Sequence, residues 1–220
     1  MNDIIDKLKR VRRGAMFIIE GPSGTGKGAV CKEILAQDEH IKFSVSVTTR
    51  PKRDTEVEDI DYHFISDAEY DKLKAEDAFY ECVDSQYGAR YGTLRSEVDG
   101  FLNVGEDVLF DMDWAGARQM KDKAPDDVVT IYLLPPSIAE LKRRSYGRGT
   151  DSEDVIKKRM AQFPDKVSHW KEFDYVLLNV NLEETVYKVQ KIISAERMKR
   201  VRQTGLTEFV EHLLTEAQHG

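Results

Sequence analysis

Phe17-Ile18-Ile19-Glu20-Gly21-Pro22-Ser23-Gly24-Thr25-Gly26-Lys27-Gly28-Ala29-Val30 is the stretch that decides the fold. Residues 15–19 are an apolar run of the kind a buried strand shows. Beyond the glycines, Val30, Ile34 and Leu35 recur at helical spacing over residues 29–37. Strand, glycine-rich turn and helix in that order are the context a phosphate-binding loop requires, and the pattern G-x-x-x-x-G-K is complete from Gly21 to Lys27. Gly21, Gly24 and Gly26 let the backbone curl until successive N–H groups point inward, and the positive end of the following helix adds to that anion cradle. Lys27 then reaches the outer phosphates of a nucleoside triphosphate. The next residue is Gly28, not Ser or Thr, so the hydroxyl that ordinarily ligates magnesium is missing.

The totals suit such a fold. A chain of 220 residues is long enough for one α/β domain with sub-domains and a sizeable core. A net charge of −7 argues against non-specific binding to nucleic acid or anionic membranes. No apolar run approaches the ~20 residues of a membrane span, and residues 1–13 are charged throughout, with no apolar signal core. Cys31 and Cys82 show no metal-type spacing, and two lone thiols suit a reducing compartment. The expectation is a cytoplasmic protein without nucleic-acid or membrane partners, as monomer or homodimer.

Upstream of the loop, residues 2–13 read as a short helix with Ile4, Ile5, Leu8 and Val11 on one face. Downstream, residues 41–47 alternate with period two and read as a strand. Pro51 ends it. Arg50 and Arg53 at its exit suit a phosphate clamp, since guanidinium forks match phosphate oxygens bidentately; solvated surface arginines are the other reading. An acidic loop covers residues 54–61. A strand is expected at 62–65, a helix capped by Ser66 with Glu69 at the capping-box position, a strand at 79–83, and a glycine-turned hairpin over 86–93. Residues 46–99 thus look like a small β-rich insert whose Tyr62, Glu81, Tyr91 and Thr93 offer hydrogen bonds to a purine and its phosphate; each tyrosine alone is as well explained by packing. His63 reads as structural, no second metal ligand being evident near it. Asp111 and Asp113 end the apolar strand 107–113, where a carboxylate opposite a phosphate loop holds hydrated magnesium or pairs with the loop lysine, unless it caps the next helix. Residues 128–134 are a near-continuous apolar run, the mark of a central parallel strand. A helix at 138–144 and another at 152–163 flank a glycine-bordered arginine turn. Arg144, Arg148 and Arg159 there form either a mobile lid over a triphosphate or a solvated basic pair of helices. Residues 173–179 read as the last core strand, 182–202 as a long amphipathic helix, and 207–217 as a terminal helix.

With these motifs in hand, the chain resembles bacterial guanylate kinases over about residues 14–195. The likeness rests on Gly21-Pro22-Ser23-Gly24-Thr25-Gly26-Lys27, on Ser44 through Arg53, on Asp61-Tyr62-His63-Phe64, and on Phe79-Tyr80-Glu81 with Tyr91-Gly92-Thr93. Asp111-Met112-Asp113-Trp114 and residues 141–150 complete it. The resemblance implies a P-loop nucleoside monophosphate kinase fold, α/β, with a mainly parallel core sheet flanked by helices. The core would be residues 14–45, 100–137 and 161–195, the GMP-binding insert 46–99, the lid 138–160 and a C-terminal helical extension 196–220, within one domain spanning 1–220. It implies transfer of the γ-phosphoryl of ATP to GMP or dGMP, with magnesium held, through water, by Asp111 and Asp113. Residues 21–29, including Gly28 and Ala29, would hold ATP. Arg50, Arg53, Tyr62 and Tyr91 would hold the GMP phosphate, while Ser46, Glu81 and Thr93 would read guanine with Asp113 nearby. Lys27, Arg144, Arg148 and Arg159 would stabilise the transferred phosphoryl, with Asp111 orienting Lys27. Two other expectations stand beside this: a non-catalytic guanylate-kinase-like scaffold that binds phosphopeptides through the same arginines, and a kinase of the same fold with another acceptor.

Overall fold

The computed structural model describes residues 12–84, 88–147 and 153–219. The helix expected at residues 2–13 falls almost wholly outside them.

β1 (Met16–Glu20) passes through the glycine turn into α1 (Lys27–Gln37). Every residue of β1 is buried. It has a parallel neighbour on each side, β7 (Asp107–Asp111) and β8 (Val128–Leu134). With β2 (Ile41–Phe43) and β9 (Tyr175–Leu178) these make a five-stranded parallel sheet in the order β2-β7-β1-β8-β9. Parallel strands need crossovers, so helices cover both faces. On one face α1 and α8 (Leu182–Arg197) set Val30, Ile34, Val189 and Ile193 against Phe17, Ile19 and Ile131. On the other, α3 (Arg95–Asn103) and α4 (Trp114–Lys123) set Val98, Leu102, Ala117 and Met120 against Met16, Ile18, Val108 and Phe110. The glycine turn and Asp111 both lie at the C-terminal ends of these strands, where open α/β sheets bind ligands.

A second, four-stranded sheet has the order β4-β3-β6-β5 and is built from β3 (Ser46–Thr48), β4 (Tyr62–Phe64), β5 (Phe79–Asp84) and β6 (Arg90–Leu94). Its own small core gathers Val47, Tyr70 and Phe79 under α2 (Asp67–Ala75), which Ser66 caps by accepting the Glu69 N–H at 3.2 Å.

Several sequence expectations shift. The single strand at 41–47 is two: the chain leaves the core sheet after Phe43, keeps a last tie from the Ser44 N–H to the Leu109 carbonyl, and joins the second sheet at Ser46. Alternation reports a half-buried strand but not which sheet it joins. The helix expected at 152–163 ends at Ala161 as α6 (Glu153–Ala161), after α5 (Ile138–Gly147). Pro164 then sits in the first turn of a separate α7 (Phe163–Ser168), where its missing N–H costs nothing. The helix expected at 182–202 stops at Arg197. A 3₁₀ turn over Arg200–Arg202 follows, turning Arg202 inward to Glu196 at 3.6 Å and Asp127 at 3.8 Å. α3 carries no sequence expectation, because only Val98 and Leu102 of it are buried. The terminal helix, α9 (Leu206–His219), leaves Val210, Leu213 and Leu214 exposed. Among the described residues no helix is long and apolar enough to cross a membrane.

Candidate active site

Two cavities open at the C-terminal ends of the core strands, and Asp111 lines both. The first, about 570 Å³, is walled by Ser23, Gly24, Gly26, Lys27, Gly28 and Ala29, with Arg143 and Arg144 of α5 across from them. Gly24 and Gly26 hold φ of 93° and 95°, the left-handed region that glycine enters freely. A Cβ on Gly24 would stand 2.5 Å from the Ser145 hydroxyl, so α5 packs directly on the loop. Thr25 shapes the loop instead of facing the cavity: its hydroxyl is buried and donates to the Pro22 carbonyl at 2.8 Å. The Thr25 carbonyl accepts Asn179 Nδ2 at 2.6 Å, and Asn179 is held in turn by the Thr185 hydroxyl at 2.9 Å. At Gly28 a Cβ would meet nothing within 4 Å, so the missing hydroxyl leaves open space.

Lys27 Nζ donates to the Gly21 carbonyl at 2.7 Å and lies 4.0 Å from Asp111 Oδ1. Burial raises the Asp111 carboxyl above its ordinary value, and Lys27 only partly offsets that. Arg144 is a brace in this conformation: Nε donates to Glu140 at 2.7 Å, Nη1 to the Asn179 carbonyl at 2.9 Å and Nη2 to the Val180 carbonyl at 3.1 Å. Arg159 is on α6 and lines neither cavity. Arg148 lies outside the described residues.

The second cavity, about 400 Å³, takes Ser46, Tyr62, Glu81 and Tyr91 from the four strands of the second sheet and Asp113 from the start of α4. Asp113 is the N-cap of α4, accepting the Ala115 and Gly116 N–H groups at 3.1 Å each, so the capping role and the cavity position coexist. Glu81 is buried and pushed up to about 7 by desolvation first and the Asp113 charge second, with the Thr93 hydroxyl, 3.4 Å away, opposing. Arg50 is gripped by Glu56 through two hydrogen bonds, at 2.7 and 2.5 Å, and lies over the Tyr62 ring at 4.9 Å. The Arg50 and Arg53 contacts hold Glu56 down at about 2. Arg53 gives its backbone N–H to Glu56 at 2.9 Å, and neither Arg50 nor Arg53 lines the cavity.

Glu20 escaped the sequence reading, although a carboxylate in an apolar strand next to a glycine turn is a visible signal. It is 2 % exposed, its Oε1 has no partner, and burial pushes it up to about 7 against the Lys27 and Lys166 charges. A carboxyl raised above its unfolded-state value costs stability once pH exceeds that lower value, and the cost is complete above the folded value. Glu20→Gln is therefore expected to stabilise the fold by about 2–3 kcal/mol at pH 8. The gain shrinks as pH falls from 7 and vanishes near 4.5. Denaturant midpoints at pH 8 and pH 5 check this, and an equal gain at both would contradict it.

For a metal, the described residues contain one group of three close ligand side chains, Glu58, Asp59 and His63. His63 therefore does have ligand-type neighbours, contrary to expectation. Both its ring nitrogens are already taken, Nδ1 by Asp59 at 2.8 Å and Nε2 by Glu97 at 3.0 Å, and it lines neither cavity. Asp111 lines both cavities and Asp113 the second one, and neither belongs to that close ligand group.

Residues 13–196 match the family model described as guanylate kinase. The guanylate kinase of Zymomonas mobilis is 49 % identical over 207 residues, 94 % of this chain and 95 % of its own. That of Novosphingobium aromaticivorans is 46 % identical over 203 residues, 92 % and 91 % of the two chains. The crystal structure of guanylate kinase from Anaplasma phagocytophilum superposes with a TM-score of 0.70 at 32 % identity, covering 91 % of this chain and 95 % of that one.

Proposed function

This chain belongs to the guanylate kinase family and is an enzyme of that type, and from that premise we propose that it transfers the γ-phosphoryl of ATP to GMP, and to dGMP, across two cavities that share Asp111. The observation that carries the assignment is the pair of cavities meeting at Asp111, one walled by the phosphate loop and the other by Glu81. A donor and an acceptor bound in these two sites have their phosphates facing across one carboxylate and one lysine. Such a transfer needs positioning and charge stabilisation more than covalent help from the protein.

In this assignment the loop N–H groups and Lys27 hold the triphosphate. Lys27 exchanges the Gly21 carbonyl for phosphate oxygens. The ionised Glu81 accepts N1–H and N2–H of guanine, with Thr93 and Ser46 beside it. Tyr62, Tyr91 and Arg50 hold the GMP phosphate, and Arg53 joins them after a side-chain movement. An oxygen of that phosphate, already anionic, attacks the γ-phosphorus, and the bond to the β-phosphate oxygen breaks to leave ADP and GDP. No general base is required. Magnesium, when bound with ATP, neutralises the charge on the phosphate oxygens. Asp111 and Asp113 suit its water ligands, and Gly28 offers no hydroxyl to it. Arg144, Arg148 and Arg159 are assigned to the transferring group after closure of α5 and α6 over the loop.

A coupled ADP-release assay with ATP and magnesium, offering GMP, dGMP, AMP, CMP and UMP in turn, tests the assignment. Turnover is expected with GMP and dGMP. GMP binding without turnover on any acceptor would overturn it in favour of a phosphopeptide-binding scaffold.

A further inference from the structure

Glu81 stands on β5, the edge strand of the second sheet, whose only strand neighbour among the described residues is β6. An edge strand leaves outward N–H and C=O groups to find partners elsewhere. At Cys82, the residue after Glu81, both are taken by one side chain of the core. Gln119 Oε1 accepts the Cys82 N–H at 3.2 Å, and Gln119 Nε2 donates to the Cys82 carbonyl at 3.3 Å. The amide of Gln119 thus imitates one residue of a neighbouring strand. Further along α4, Lys123 Nζ donates to the Phe79 carbonyl at 2.6 Å, so the helix runs along the open edge of β5 and grips it on either side of Glu81. One turn before Gln119, Gly116 lets Glu81 lie against the helix: a Cβ there would stand 3.3 Å from both Cγ and Oε1 of Glu81. Asp113 caps the same helix and walls the same cavity.

We propose that Gln119 is the positioning residue that sets guanine specificity, by fixing the backbone of β5 so that the Glu81 carboxylate stays on α4. The proposal rests on the guanylate kinase assignment above. Through these contacts Glu81 on β5 and Asp113 at the cap of α4 are tied to one core helix, while Ser46 on β3, Tyr62 on β4 and Tyr91 on β6 enter the cavity from the other strands of the second sheet.

The test is Gln119→Met, which keeps the volume and removes both hydrogen bonds. KM for GMP is expected to rise about tenfold, the worth of one or two net hydrogen bonds, while KM for ATP stays within twofold. Because Gln119 acts through Glu81, the same change in a Glu81→Gln background is expected to raise KM for GMP by less than twofold. Gln119→Leu, which also lacks both hydrogen bonds, is expected to show the same rise. It also serves as the second variant if the methionine form does not fold. An unchanged KM for GMP, an equal rise for ATP, or the same penalty with and without Glu81 would overturn the proposal. Calorimetry of the wild type with GMP separates the two levels: a wild type that does not bind GMP overturns the functional assignment itself, whereas normal wild-type binding with unaffected variants overturns only the role of Gln119.

Discussion

Lys27→Met is expected to lower kcat about a thousandfold while leaving KM for GMP within threefold. The size follows from the role proposed for Lys27 as charge builds up on the phosphoryl group in flight. It is a cationic donor in a site partly shielded from water, and losing one preorganised donor of that kind costs about 10²–10³ in rate even where the donor is neutral. The selectivity follows from place. Lys27 walls the cavity of the phosphate loop and is absent from the wall of the cavity holding Glu81. The effect should fall on turnover, because the ammonium has a partner in the Gly21 carbonyl at 2.7 Å, and binding ATP exchanges that hydrogen bond for others. Steady-state kinetics with GMP varied at saturating ATP check this. A kcat within tenfold of wild type would remove Lys27 from the mechanism.

Glu81→Gln is expected to cost about 10²–10⁴ in kcat/KM for GMP and to erase most of the preference for GMP over AMP. A buried carboxylate offers two acceptors to N1–H and N2–H of guanine. The amide offers one acceptor and sets an N–H against a guanine N–H. Sites built to pair with particular substrate groups discriminate by about 10⁴–10⁵ because a mismatch strands a buried polar atom. Burial also pushes Glu81 up to about 7. In the proposed site guanine binds the ionised form, so KM for GMP in the wild type should rise as pH falls below about 7, approaching tenfold per unit. In Glu81→Gln that contribution should be lost, leaving only the dependence that the GMP phosphate, whose second proton leaves at pH ~6, imposes on both proteins. Calorimetric titrations with GMP between pH 5.5 and 8.5 measure both. A wild-type affinity with no more pH dependence than that of Glu81→Gln would mean that Glu81 does not bind guanine as a carboxylate.

Much of the site is legible because its chemistry is local. The spacing of Gly21, Gly24, Gly26 and Lys27 prescribes a loop whose left-handed glycines and lysine placement depend on a handful of consecutive bonds. Ser66 and Asp113 are readable as caps for the same reason, since a cap acts within one helical turn. The parallel core shows in the unbroken apolar runs of β1 and β8, which only a strand covered on both faces tolerates. The resemblance to guanylate kinases then links distant motifs that spacing alone leaves separate, placing Glu81 and Asp113 in one cavity.

What the sequence by itself determined, then, is the phosphate loop, the strand–helix order around it and the residue types available for binding. Only the tertiary structure decided how those residues are held. The change of sheet at Ser44 and Val45 is silent in a pattern that keeps alternating. Glu20 looks like any strand-end carboxylate until the fold closes over it and leaves Oε1 unpaired. Arg144 has the look of a free lid arginine, yet in this conformation it braces the carbonyls of Asn179 and Val180. Gln119 is an unremarked helix residue until α4 is laid along the edge of β5, thirty-seven positions away, and its amide meets both backbone groups of Cys82. Burial and long-range pairing depend on which surfaces meet, and that is settled by the packing of the whole chain rather than by the residues on either side of one position.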